Sequence, residues 1–218
     1  VYQINISMAQ NKYHNLRDKP DSRDQIYTPK LTLESLAPSV DLRNNCSAIE
    51  DQGQVGSCTG NAIAGIVEYL CRRAKKNTDV SRLFIYYEER ALEGTTNSDA
   101  GAYLRDGIKV LNKKGAPTEA LWPYIERKVL ARPSQAAYIN ALSRRAVSYQ
   151  RCNNFAAVKA AIACGYPVTV GFTVYESFES LTDLWWTPNG SGMMPYPNVN
   201  TEQVLGGHAV ALVGYNDA

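Results

Sequence analysis

Apolar residues change rhythm several times along this chain, and each rhythm predicts an element. Tyr2, Ile4, Ile6 and Met8 alternate with polar neighbours, the period of an extended strand. A polar run from Asn11 to Pro29 follows, punctuated by Pro20 and Pro29. From Asp51 to Ser57 the residues are small, polar and spaced by glycine. Ile63, Ile66, Val67 and Leu70 then recur at helical spacing, predicting a helix that starts at Cys58 and stops at Lys75, Lys76 and Asn77. A second helix is predicted from near Ser81, with Leu83, Tyr87 and Ala91 on one face and Gly94 as its stop. A third carries Leu104, Ile108 and Leu111 and ends at Gly115. The second half has shorter periods. Ala146 to Tyr149 reads as a short strand, and Phe155 to Ala163 as a helix with Val158 and Ile162 inward. Tyr166 to Val174 reads as a strand, and so does His208 to Tyr215, apolar enough to be buried. Trp185 to Pro197, rich in tryptophan, glycine, proline and methionine, reads as a loop with its own side-chain packing.

The chain has 218 residues, enough for one large domain or two small lobes sharing a cleft. Hydrophobic residues make up 44% and charged residues 20%, which places it among globular chains and not disordered ones. A net charge of +2 is too small to argue for nucleic acid or an anionic membrane as partner. No run of about 18 apolar residues is present, so no membrane span is expected, and Val1 does not open a charged-then-apolar leader. Five cysteines leave at least one thiol free. Cys58 and Cys71 would stand about 20 Å apart on one helix, too far for a bridge. The same arithmetic argues against a local bridge between Cys152 and Cys164, which bracket a helical stretch. Cys46 sits in a loop without charged partners in sequence and reads as structural.

Cys58 is the candidate nucleophile. At the mouth of a helix, aligned peptide dipoles and unpaired backbone N–H groups favour the thiolate. Gln52, six positions earlier, stands on the loop that folds over the helix start, where its side-chain amide can aim an N–H near the sulfur. Taken alone, a free cysteine is more often a small buried hydrophobe. Only two histidines exist, and His14 lies in the polar terminal segment. His208 is therefore the one credible base, a polar residue opening an apolar strand.

These residues carry a resemblance. Gln52 through Cys58, with Gly56, Ser57 and Cys58 followed by a long helix, resembles the active-site signature of the papain-like cysteine peptidases. Gly206, Gly207, His208, Ala209 and Val210, followed by Gly214 and Tyr215, resembles that family's histidine motif. Two blocks in the right order are stronger than either alone. Pro38, Val40, Asp41 and Arg43 resemble the start of the mature enzyme. The resemblance implies an α+β, two-lobed papain-like fold with the active site in the cleft. Residues 1–37 would be an N-terminal extension and residues 38–218 the peptidase domain, with a helical lobe over about 46–125 and a β-rich lobe over about 126–218. Trp122, Pro123 and Tyr124 would form the crossover between lobes.

The implied chemistry is endopeptidase cleavage of polypeptide substrates without a cofactor or metal. Cys58 attacks the scissile carbonyl, His208 exchanges the proton, and Gln52 with the Cys58 backbone N–H holds the oxyanion. Gly101, Ala102 and Tyr103 match the segment lining one wall of the cleft, and Gly207 lies on the other. Gly171 and Tyr103 would flank the pocket for the side chain second from the cut. Trp185 and Trp186 would border the leaving-group side. The extension is either a loosely ordered terminus or an inhibitory pro-segment lying through the cleft, shorter than the usual helical kind. The resemblance also favours a secreted, periplasmic or lysosome-like compartment. Two departures stand out. Val55 holds the place, three before the nucleophile, where the family usually has a cysteine, so the corresponding disulfide is not expected. The sequence reaches Ala218 before the family's Asn-Ser-Trp-Gly block, so either the orienting asparagine and further strands follow Ala218, which is the expectation, or the third catalytic member and part of the second lobe are missing. The alternatives are a catalytically silent peptide- or ligand-binding relative and an acyltransferase using the same Cys and His pair.

Overall fold

The computed structural model describes residues 13–180 and 194–217. The strand expected over Tyr2 to Met8 lies outside these residues, as do Trp185 and Trp186. In chain order the elements are β1 (Asn15–Leu16), β2 (Ser39–Asp41), α1 (Cys58–Arg73), α2 (Arg82–Glu93), β3 (Ala102–Tyr103) and α3 (Leu104–Lys113). They continue with α4 (Gln135–Ala141), α5 (Phe155–Ala163), β4 (Val168–Tyr175), α6 (Glu176–Ser180), β5 (Val204–Leu212) and β6 (Gly214–Asn216).

Helix α1 is the central element. It starts at Cys58 because the glycine-spaced loop ends there: Gly53 takes φ +56° and its N–H is held by the Asp51 carboxylate at 2.8 Å. Ser57, the N-cap, makes no side-chain cap bond. Instead Asn61 reaches back one turn, its Nδ2 donating to the Ser57 carbonyl and hydroxyl. On one side of α1, Ile63 and Ala64 pack with Val80, Ile85, Leu111 and Ala116. Near the start of α1, Cys58 and Ala62 meet Ala209 of β5. The helix thus lies between the other helices and the β4–β5 ladder, and its first turn sits where the two meet.

Helix α2 is more deeply buried than its predicted face. Leu83 is buried, but so are Phe84, Ile85, Tyr86, Glu88, Glu89 and Arg90, whereas Ala91 is exposed. The polar members are accommodated by partners, which a hydrophobic pattern cannot register. Arg90 donates to the carbonyls of Ser98 and Val129, and Glu88 meets Lys114 and the Tyr138 hydroxyl. Ser81 caps the helix by accepting from the Phe84 N–H, and Gly94 ends it at φ +74°.

Strands β4 and β5 pair antiparallel from Val168↔Leu212 to Tyr175↔Val204, with an irregularity between Val174 and Tyr175. Within this ladder Phe172 faces His208 and Gly171 faces Ala209. The expected strand over Ala146 to Tyr149 does not form. Its backbone is used elsewhere, Ala146 exchanging bonds with Leu111 and Asn112, and Val147 stays 97% exposed. β2 pairs antiparallel with β6, Val40 opposite Tyr215. β1 pairs parallel with β3, Asn15 opposite Ala102. No helix among the described residues is long and apolar enough to cross a membrane.

Candidate active site

Cys58 stands at the first position of α1 and has no exposed surface. Backbone N–H groups of Ala209, His14 and Thr59 converge on its sulfur. Those donors favour the thiolate, as the sequence predicts for a helix mouth, but burial outweighs them and pushes the thiol from an ordinary 9.0 up to about 11. In this state the sulfur is a covered, protonated thiol. The covering is shared between Ala62, Leu104 and Ala209 of the body and His14 of the N-terminal segment.

Residues 13–16 run between both predicted walls. The His14 carbonyl accepts from the Ala102 N–H at 3.3 Å, and the Gly207 N–H donates to the Tyr13 carbonyl at 3.2 Å. His14 also bridges in parallel with Gly207. The glycines make this close approach possible. A Cβ at Gly101 would lie 1.9 Å from the His14 carbonyl oxygen, and one at Gly207 would lie 2.1 Å from that of Asn15. At Gly206 it would lie 2.3 Å from the Tyr13 oxygen, and at Gly56 2.5 Å from His14 Nδ1. Gly171 takes the Asn15 side chain, whose Nδ2 would be 2.3 Å from a Cβ there. The sequence-predicted residues Gly101, Ala102, Gly171 and Gly207 are thus brought together around Tyr13 to Asn15, with Tyr103 pairing with Leu16 at the end of the run.

His208 lies on β5, one residue before the Ala209 that packs on Cys58. Its ring is boxed by aromatic edges: Tyr13 at 5.4 Å, Phe172 at 5.8 Å and Phe178 at 6.3 Å between centroids. Burial lowers its pKa below the ordinary 6.5, with Glu179 acting in the opposite sense. Its Nδ1 and that of His14 are buried and find no hydrogen-bond partner among the described residues. Gln52 is fixed at the turn before the helix. Its Nε2 donates to the Val55 carbonyl at 3.0 Å, and its own carbonyl accepts from the Tyr124 hydroxyl, which also contacts Ser57 Oγ at 2.6 Å.

All five cysteines are free. In place of a cross-link at Val55, a carboxylate ties the loop before Cys58 to the wall at Gly101. Asp99 accepts from the Gly56 N–H through both oxygens at 3.1 Å and from the Tyr86 hydroxyl at 2.5 Å. The same hydroxyl accepts from the Gly101 N–H at 3.0 Å. Asp99 thus joins the residue two before Cys58 to the wall that pairs with His14. Sequence reasoning missed Asp99, and the one available signal was the loss of a cysteine at Val55, which calls for another tie.

Further along, the extension is held by charge. Arg105 pairs with Asp24, donates to the Lys19 carbonyl, and its backbone N–H reaches Asp18 at 3.3 Å. Arg151 meets Asp24 at 3.2 Å and exchanges backbone bonds with Gln25 and Tyr27. No group of three or more His, Cys, Asp or Glu suited to a metal occurs among the described residues.

Comparison with known proteins gives a consistent picture. The sequence model of the papain family cysteine proteases matches residues 36–218. An uncharacterized peptidase C1-like protein of Acanthamoeba polyphaga mimivirus is 35% identical over 242 residues, spanning 98% of this chain and 76% of that protein. The structure is similar to xylellain, a cysteine protease from Xylella fastidiosa, with a TM-score of 0.82 and 36% identity over 95% of this chain and 82% of that one. Digestive procathepsin L 3 of the Tenebrio molitor larval midgut shares the fold at a TM-score of 0.66 and 20% identity, over 95% of this chain and 62% of that one.

Proposed function

The chain belongs to the papain family of cysteine proteases, and from that premise we propose that it is a cysteine endopeptidase held latent by residues 1–37. The observation that carries the latency is the pose of His14. It presents a backbone N–H to the Cys58 sulfur and turns its carbonyl away, onto the Ala102 N–H. A thiol nucleophile needs a carbonyl carbon within attack range. The extension therefore fills the substrate's place without offering the sulfur a bond to cut.

With the extension withdrawn, the chemistry is acyl transfer. Exposure of the sulfur removes the burial that keeps it protonated, and His208 takes its proton. The sulfur attacks the substrate carbonyl. Negative charge gathers on oxygen between the Gln52 side-chain amide and the Cys58 backbone N–H. His208 then protonates the leaving amine, and water releases the acyl group from sulfur. Gln52 is suited to this task because its loop, and so its amide, is fixed by Val55 and Tyr124. The Gly101–Tyr103 wall and Gly207 would hold the substrate backbone as they hold the extension.

The test is turnover of a fluorogenic peptide, with labelling of Cys58 by an epoxysuccinyl inhibitor. The full chain is compared with the same chain cut after folding at a site engineered near Leu36. Cutting should raise both signals, and equal rates before and after the cut would reject latency. Cys58→Ala should abolish turnover, and Gln52→Ala should slow it about a hundredfold or more, the effect of losing one oxyanion donor. Turnover retained without the Cys58 sulfur would reject the mechanism.

A further inference from the structure

One contact of the extension says more about the cleft than that it is filled. The ring of Tyr13 stands edge-on to His208 at 5.4 Å and to Phe178 at 5.9 Å, with interplanar angles of 78° and 87°. Phe172 packs against the same two rings, 5.8 Å from His208 and 5.7 Å from Phe178. Beyond the rings, the Tyr13 hydroxyl donates to Glu179 Oε1. We infer that His208, Phe178 and Glu179 form a side-chain pocket that selects residues ending in a hydrogen-bond donor, the phenol of tyrosine or the cation of lysine or arginine. The inference rests on the peptidase reading for its place in the reaction. His208 is the group that protonates the departing amine, so a side chain lying against its ring belongs to the residue just after the cut.

The chemistry of selection is that of an apolar sleeve with an acceptor at its end. The aromatic edges bury the stem of a long side chain, and an ionised carboxylate accepts but cannot donate. Phenylalanine would fill the sleeve and leave Glu179 without this donor. Glutamate would set two carboxylates against each other. Arginine and lysine would bring a charge-assisted bond to the same oxygen.

The full chain supplies its own assay, because Tyr13 is the occupant and the buried Cys58 reports its release. The alkylation rate of Cys58 by iodoacetamide is measured by peptide mass mapping, which separates it from the other four cysteines. Tyr13→Phe should accelerate alkylation about tenfold, the effect of removing one hydrogen bond to a charged acceptor. Tyr13→Arg should stay within about threefold of the parent, and Tyr13→Glu should exceed Tyr13→Phe. In a Glu179→Gln background the advantage of Arg over Glu should collapse. Phe as slow as the parent, Arg as fast as Glu, or an unchanged order in Glu179→Gln would each overturn the pocket.

A second arm uses peptides differing only at the residue after the cut, hydrolysed by the full chain carrying Asp24→Ala to loosen the extension. Peptides with Tyr or Arg there should have kcat/KM about tenfold above those with Phe. Equal hydrolysis of all peptides would refute the pocket and leave the peptidase reading standing. No hydrolysis of any peptide would count against the peptidase reading, and the alkylation series alone would then decide the pocket.

Discussion

Replacing Asp24 by Ala should open the cleft without touching the enzyme body. Asp24 accepts from Arg105 through both oxygens and from Arg151 at 3.2 Å, and the side chains of Asp24 and Arg105 are only 15% and 11% exposed. Removing one partner of a deeply buried pair costs about 3–5 kcal/mol. This pair lies under a single layer of chain, and the backbone bonds of Arg151 to Gln25 and Tyr27 survive the change. About 2 kcal/mol is therefore the reasonable share, equivalent to about a 30-fold rise in the open fraction. The open state differs sharply at Cys58. With its pKa near 11 the sulfur is thiolate in about one molecule in ten thousand at pH 7, and with an ordinary 9.0 in about one in a hundred. Reaction with iodoacetamide thus passes almost wholly through open molecules, and its rate at pH 7 should rise about 30-fold in the variant. Cys46, half-buried at the end of the 43–45 turn with its sulfur on the Leu42 carbonyl, is the internal control. A Cys58 rate within twofold of the parent would refute the charge clamp. A parallel rise at Cys46 would show general loosening and refute the assignment to the extension.

Three further outcomes follow from the same contacts. Gly207→Ala places a Cβ 2.1 Å from the Asn15 carbonyl oxygen and should raise Cys58 alkylation about tenfold or more. Gly65→Ala, where a Cβ meets open space, should not; equal effects of the two would remove the steric argument. Asp99→Ala strips the Gly56 N–H and the Tyr86 hydroxyl of their acceptor and should cost about 2–3 kcal/mol, seen as a fall in Tm of about 5–10 °C, and an unchanged Tm would show the tie to be dispensable. Docking should also have a pH optimum. Covering keeps His208 neutral, so docking is at full strength above the ordinary 6.5 and weakens as pH falls below it; it keeps Cys58 protonated, so docking weakens again as pH rises above 9.0. Protection of the Ala102 and Gly207 amides against hydrogen exchange, corrected for intrinsic rate, should peak between these limits. A profile flat from pH 5 to 7 would exclude His208 from the balance.

The helix that begins at Cys58 and the strand that carries His208 were legible in the local pattern, whereas Gly101, Gly171 and Gly207 were picked out only by the family resemblance. Helical spacing after a glycine-spaced loop locates Cys58; His208 was expected to open its strand but stands in the middle of β5, because the two glycines before it are themselves paired in the ladder. The strand expected over Ala146 to Tyr149 failed because short apolar alternation does not reveal whether a partner strand is available, and none pairs with it among the described residues. The buried charges of α2 were hidden for a related reason, since their partners Lys114, Tyr138, Ser98 and Val129 are distant in sequence. His14 lies in a polar terminal segment, and the sequence pattern gives it no role. Nothing local marks it, because its place comes from backbone bonds that any residue could make, its own carbonyl to the Ala102 N–H and that of Tyr13 to the Gly207 N–H.

Consider last the joint between β2 and β6. Val40 pairs with Tyr215, and Asp217 donates to the Pro38 carbonyl, so the point where the extension leaves the enzyme is pinned. Tyr13 to Leu16 are therefore leashed to a fixed post through a stretch that is itself anchored at Asp24, Gln25 and Tyr27, and their meeting with the cleft is intramolecular. A single nick anywhere between Leu16 and Ser39 would turn this segment into a free peptide whose hold depends on dilution. Weak contacts suffice while the leash is whole, and severing it makes activation a one-way event.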